Sequence, residues 1–279
     1  MKTSLSTPQI KSIEAKILNI SRTTGRSSME TRTLFLLERA VARILLDSLL
    51  QDHLVFKGGY VALRIYQSTR FTSDIDAVIK GLSPEEAIQR IKNAVDHDMG
   101  DGAWFVWEGE DTLQTQGEYG GRRLTFRAGI GDIPAKLKNA LIVNIDLGIG
   151  DPVTPGPFKT ETTCTLGEGS LSWQVYPIET MLAEKIHALV VLGDNNSRSK
   201  DVYDIDLFWP QANIENLRLA LEATFNFRGD RVPKSFADTI RSIDTTLLKR
   251  GWVTATLSLK ERPKFESVME SLLEKIGQI

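Results

Sequence analysis

The sequence predicts an α+β fold: a mixed sheet flanked by helices, followed by a helical C-terminal domain. Three observations point there. Apolar residues recur at helical spacing towards both ends of the chain, short β-type runs bounded by turn residues fill the middle, and no internal repeat or low-complexity tract interrupts the order. At 279 residues and 41% apolar, the chain can build a proper core as one large domain or two.

Thr7 reads as an N-cap and Pro8 as a first helical residue, and Ile10, Ile13, Ile17 and Ile20 carry one stripe towards Gly25. Residues 28–50 form a second, longer helical pattern. Residues 54–57 and 73–79 read as strands, separated by a glycine turn and a short helix carrying Leu63 and Ile65. Ser83-Pro84-Glu85-Glu86 is a capping-box signature for a helix running through Ala94. Residues 103–108, 122–127, 141–147 and 173–176 supply the remaining strands, and from Pro177 onward the patterns are helical. The expected boundary lies near Gly167 to Trp173, dividing a domain of residues 1–170 from one of residues 171–279.

Composition excludes several classes. A net charge of −2 is not that of a constitutive nucleic-acid coat, so any RNA contact has to come from local patches. The one cysteine, Cys164, rules out an intramolecular disulfide and is compatible with a reducing compartment. Met1 to Ser6 leads into no apolar signal region and no stretch approaches membrane-spanning length, so a cytoplasmic protein that does not enter the membrane is expected. His53 and His97 have no cysteine or histidine at metal spacing, which argues against zinc.

The chemistry is concentrated between Lys57 and Asp76. Lys57-Gly58-Gly59 is followed by Asp74-Ile75-Asp76 at the head of an apolar run. Alternate side chains of a strand share a face, so the two aspartates project together, roughly 6 to 7 Å apart along the strand. Carboxylates that close repel unless a cation sits between them, and Mg²⁺, which prefers carboxylate and phosphate oxygen, is the natural occupant. The glycines allow close backbone approach to a triphosphate, to which N–H groups in such a turn can donate. A third acid is expected on a buried strand, and Asp146 in Leu141-Ile142-Val143-Asn144-Ile145-Asp146-Leu147 supplies one, on the face it shares with Ile142 and Asn144. Its alternative is to cap the following glycine-rich turn.

Lys185 stands on the apolar stripe of Ile178, Met181, Leu182, Ile186 and Leu189. A bare ammonium there is costly, so it either snorkels out or reaches a triphosphate or the Asp201 carboxylate. His187 falls off the stripe, which suits a polar face. Asp201 and Asp204 begin the next helical pattern, where acids also complement the helix dipole.

These blocks resemble the AbiEii/AbiGii class of nucleotidyltransferase toxins, the catalytic half of bacterial toxin–antitoxin and phage-defence pairs. The resemblance rests on Phe56-Lys57-Gly58-Gly59 with Leu63-Arg64, Arg70 with Ser73-Asp74-Ile75-Asp76, Ile145-Asp146-Leu147-Gly148 with Gly150-Asp151-Pro152, Glu184 to Leu189, and Arg198 to Ile205. They fall in the family's order over residues 30–210. The chain departs at Tyr60, where the family usually has Thr or Ser and hence a small hydroxyl against the nucleotide phosphate.

The resemblance implies a polymerase-beta-like nucleotidyltransferase core, a Mg²⁺-dependent transfer of NMP from an NTP, an RNA acceptor such as the 3′ end of tRNA, and a cognate antitoxin as partner. Asp74, Asp76 and Asp146 are the expected holders of two metal ions; Lys57, Gly58, Gly59, Arg70 and Lys185 the expected nucleotide contacts; Asp201 joins the catalytic set. Lys185 and Asp201 are expected to face the carboxylates across an interdomain cleft. The basic residues from Arg228 to Lys264, including Arg250 and Lys260, interleave with Phe225, Phe227, Trp252 and Phe265 as an RNA surface would, or as core aromatics under a solvated surface would. A small-molecule nucleotidyltransferase and a catalytically silent nucleotide-binding module are the alternatives, the latter resting on Tyr60 alone.

Overall fold

The structure, a computed structural model, describes residues 5–113, 120–167, 169–259 and 261–279. Met1 to Ser4 and Lys260, both invoked above, lie outside the described residues. The chain divides into two compact units: Met1–Ile65 with Phe71–Gly150 and Lys159–Val175, and Tyr66–Arg70 with Asp151–Phe158 and Tyr176–Ile279. The first unit keeps Lys159–Val175, because residues 170–175 form a strand of its sheet, and the second gathers two short earlier segments.

The first unit opens with helices α1 (Thr7–Thr24), α2 (Ser28–Ile44) and α3 (Ser48–His53), then β1 (Leu54–Lys57) and α4 (Gly58–Arg64). It continues with β2 (Asp74–Ile79), α5 (Pro84–Val95), β3 (Ala103–Leu113), β4 (Gly121–Ile130), β5 (Leu141–Ile149), β6 (Phe158–Thr163) and β7 (Ser170–Val175). The strands form one mixed sheet in the order β3-β4-β5-β2-β1-β7-β6. β2 runs parallel to β5 and β1 parallel to β7, while β1–β2, β3–β4 and β4–β5 are antiparallel.

Three departures from the sequence reading have local causes. The single helix expected over residues 28–50 is two, because Asp47 accepts from the N–H groups of Leu49 and Leu50 at 3.0 and 3.1 Å and caps a new helix; a side chain that satisfies backbone donors competes with helix continuation. The glycine pair opens α4 instead of forming a separate turn. Strand β6 was not anticipated: it lies at the sheet edge with no buried residue, so no apolar alternation marks it.

One face of the sheet is apolar. Ile75 and Ala77 of β2, Leu124, Phe126 and Ala128 of β4, and Val143, Ile145 and Leu147 of β5 are buried, and α2 packs against β5 and α5 through its own buried stripe. Each of the Ile, Leu, Val and Phe side chains contributes about 1.5–3 kcal/mol on burial, and the alanines less. Arg43 of α2 is buried with its charge satisfied: it forks onto Asp101 at 2.8 and 2.8 Å and donates to the carbonyls of Arg39, His97 and Ala103. The sheet's other face, over β2, β4 and β5, carries polar side chains and is half-buried.

The second unit is helical: α6 (Ile178–Leu192), α7 (Ser199–Phe208), α8 (Ile214–Phe227), α9 (Phe236–Arg241), α10 (Thr246–Ala255) and α11 (Phe265–Ile276). α6 is buried almost all round and packs on α7, α8 and α9. His187 is therefore buried and not on a polar face: its Nε2 lies 2.7 Å from Asp230, Arg228 approaches its Nδ1 at 3.1 Å, and its ring packs edge-on against Phe225. Burial, with Arg228 beside it, holds the imidazole below its ordinary pKa despite Asp230. Phe225, Trp252 and Phe265 are also buried, so these three of the aromatics interleaved with the C-terminal basic residues belong to the core and offer no stacking platform, while Phe227 is half-buried.

Candidate active site

The polar face of the sheet is built by register. Asp76 stands opposite Lys57 across β1–β2 and opposite Asp146 across β2–β5, and Asp146 stands opposite Arg123 across β4–β5. The next row pairs Asp74 with Asn144 and Asn144 with Thr125. Cross-strand partners share a face, so Lys57, Asp74, Asp76, Asn144, Asp146, Thr125 and Arg123 form one continuous polar patch. The intervening Ile75, Ile145 and Leu124 point into the core and fix which way the patch looks, since a one-residue slip would bury every charge.

Asp74 Oδ1 accepts from Asn144 Nδ2 at 3.1 Å. Asp146 is gripped by a fork: Arg123 Nε donates to Oδ1 at 2.7 Å and Nη2 to Oδ2 at 2.6 Å. These hydrogen bonds, with Asp74 and Asp76 adding their charge, hold the Arg123 guanidinium above its ordinary pKa. Arg123 and Asn144 had not been placed in the site from sequence; register-level alternation along residues 122–127 was the only signal that could have put Arg123 beside Asp146.

The glycine pair is fitted against the second aspartate. Gly58 has φ +71°, and a Cβ built on it would lie 2.0 Å from Asp76 Oδ2. A Cβ on Gly59 would lie 2.8 Å from the Thr72 hydroxyl. Gly58 thus serves both a left-handed backbone and the close approach of a carboxylate. Gly58→Ala is expected to cost about 1–3 kcal/mol of stability, and less in an Asp76→Ala background, where the obstructing carboxylate is gone. Urea denaturation of the two single variants and the double variant measures this; equal cost in both backgrounds would show that Asp76 does not press on Gly58.

Tyr60 faces the core. It is buried, packs edge-on against Trp173 with ring centroids 5.8 Å apart, and its hydroxyl accepts from Arg64 at 3.3 Å. Burial pushes its phenol well above the ordinary range, Arg64 only partly opposing. The hydroxyl set against the glycine pair is that of Thr72.

The second unit holds its own polar cluster. Lys185 Nζ lies 2.6 Å from Asp201 Oδ1 and 2.9 Å from Asp204 Oδ2. Arg198 Nε donates to Asp201 at 2.5 Å, and Arg70 forks onto Asp204 at 3.1 and 2.8 Å. Burial alone would push Asp201 up and Lys185 down; Lys185 and Arg198 hold the Asp201 carboxyl below its ordinary value, and Asp201 and Asp204 hold the Lys185 ammonium above its own. Lys185 therefore does not snorkel: it is the centre of a buried ion network. Arg70, expected at the triphosphate, is buried against Asp204, and Asp204 joins both cations.

The family model described as nucleotidyl transferase AbiEii toxin, type IV TA system, matches residues 39–273, which span both clusters. The chain belongs to the AbiEii family. It is a nucleotidyltransferase, the toxin of a type IV toxin–antitoxin system, and membership implies an antitoxin partner. The fold of this AbiEii chain is similar to that of JHP933 from Helicobacter pylori, with TM-score 0.52 and 15% identity over 90% of this chain and 91% of that one. A second H. pylori structure, described as that of a candidate nucleotidyltransferase, gives TM-score 0.49 and 15% identity over 90% and 94% of the two chains. No curated protein matches it in sequence. No helix among the described residues is long and apolar enough to cross a membrane.

For a divalent cation, the AbiEii carboxylates fit in part. Asp74 and Asp76 offer hard oxygen donors on one face, as the ion requires. Asp146, expected as a third ligand, has both oxygens on Arg123, and among the described residues no group of three or more His, Cys, Asp or Glu is arranged to hold a metal. Adjacent carboxylates need a counter-cation, and on this chain β4 supplies it.

Proposed function

We propose that this AbiEii enzyme transfers a nucleoside monophosphate from an NTP to a hydroxyl of an RNA acceptor, the 3′ end of tRNA, with Mg²⁺ bound by Asp74, Asp76 and Asp146. The observation that carries the reading is the in-register row of Lys57, Asp76 and Asp146 beside Asp74, with Gly58 pressed on Asp76. Mg²⁺ held there would clamp phosphate oxygens and stabilise the charge that develops in an in-line displacement. Lys57 contributes positive charge beside the carboxylates, and the backbone N–H groups of Gly58 and Gly59 are the proposed donors to phosphate oxygens. Asn144 orients Asp74. Lys185 and Asp201 belong to the proposed catalytic set, and Arg70 acts as the residue that holds Asp204 and, through it, Lys185.

The silent-module alternative loses its support, since Tyr60 is a core residue here. RNA as acceptor rests on what the motif resemblance to the AbiEii/AbiGii class implies and not on the C-terminal aromatics, three of which are buried. Purified protein incubated with each labelled NTP, Mg²⁺ and total RNA is expected to label RNA, with tRNA-sized species dominant and labelling abolished by EDTA. Label transferred only to small cationic acceptors would establish the antibiotic-type alternative, and no transfer to any acceptor would sink the reaction assignment.

A further inference from the structure

We propose that Arg123 is a built-in counter-ion that holds the cation's place on Asp146, so that metal loading displaces it; the inference rests on the metal-binding role proposed above for the aspartates. The fork of Arg123 occupies both oxygens of Asp146, at 2.7 and 2.6 Å, and so takes the sites that a cation would use. Register makes this a property of the sheet: Arg123 lies directly across from Asp146, and Asp146 directly across from Asp76. The Arg123 side chain is 35% exposed and that of Asp146 16%, so the guanidinium can leave towards solvent without unpacking the core. Its register partner on the far side is Asp111 of β3, an exposed carboxylate on the same face.

Electrostatics gives the exchange its direction. Three carboxylates on one face repel, and some positive charge must sit among them for the strands to keep this register. A guanidinium supplies one unit and holds Asp146 in place while metal is scarce. A divalent cation supplies two at closer range and wins when abundant. A pair that only braces the sheet would weaken metal binding when lost, because Asp146 would wander; a competitor strengthens it. The two roles therefore predict opposite signs.

Calorimetric titration with Mn²⁺ of the full chain, in the parent, Arg123→Gln, Arg123→Lys and Asp76→Asn, reads that sign without any turnover. Arg123→Gln is expected to bind Mn²⁺ about tenfold more tightly than the parent, since one opposing charge and the fork are both removed. Arg123→Lys, which keeps the charge and loses the fork, is expected between the two, and serves alone if Arg123→Gln does not fold. Unchanged or weaker Mn²⁺ binding in the folded Arg123 variants overturns the proposal. The metal reading fails separately, if Asp76→Asn binds Mn²⁺ as tightly as the parent.

Discussion

Asp76→Asn is expected to fold and to lose nucleotide transfer by on the order of 10³-fold or more. The substitution keeps the side chain's shape against Gly58, where space is tightest, and removes only the charge. Asp76 sits between Lys57 and Asp146 in the cross-sheet row, so removing one of three neighbouring negative charges relieves repulsion while weakening the attraction to Lys57. These effects oppose one another on a half-exposed face, so the change in stability is expected to stay within about 1 kcal/mol. Urea denaturation establishes the fold, and transfer of labelled nucleotide establishes the loss. Parental transfer by a folded Asp76→Asn protein would remove the aspartates from the chemistry.

Lys185→Met is expected to lose both activity and stability. Methionine fits the stem of the lysine, but Asp201 and Asp204, 7% and 1% exposed, would keep only Arg198 and Arg70 as cationic partners. Breaking a buried pair costs about 3–5 kcal/mol when a charge is left bare, and the remaining arginines reduce this to about 2–4 kcal/mol. The pH dependence has a defined sign. Asp201 is depressed in the folded state, so its contribution is present above its unfolded pKa and is lost as pH falls through the folded value. Lys185 is raised, so its contribution is present below its unfolded pKa and is lost as pH rises through the folded value. The Met variant should lack the alkaline loss. In Lys185→Met with Asp201→Asn part of the stability should return, because Asp204 keeps Arg70 and the charge that loses Asp201 is that of Arg198, 57% exposed to solvent. Denaturation midpoints across pH measure all three; an unchanged midpoint in Lys185→Met would mean that the network contributes nothing to folding.

Strand periodicity alone put Asp74 and Asp76 on one face and Asp146 opposite Ile145 and Leu147, because alternation is a local property of the backbone. The ordered blocks from Phe56 to Ile205 were likewise enough to recognise the AbiEii family, which the match over residues 39–273 bears out. The mixed sheet and the helical C-terminal region follow from the same patterns. The edge strand β6 was invisible because nothing of it is buried, and the break before α3 because Asp47 acts through two hydrogen bonds and not through periodicity.

What the sequence determined by itself is thus what depends on neighbours along the chain: the element types, the carboxylate face, the glycine pair and the family. Tertiary structure decided the partners. Arg123 reaches Asp146 across 23 residues of sequence, and Arg70 reaches Asp204 across 134. Those pairings set Arg70 on Asp204 and Lys185 between two buried acids, while packing against Trp173 put Tyr60 into the core. Register and helix packing bring such groups together, and both are set by the apolar face on the far side of each element, which carries no record in sequence of which charge it will deliver to which.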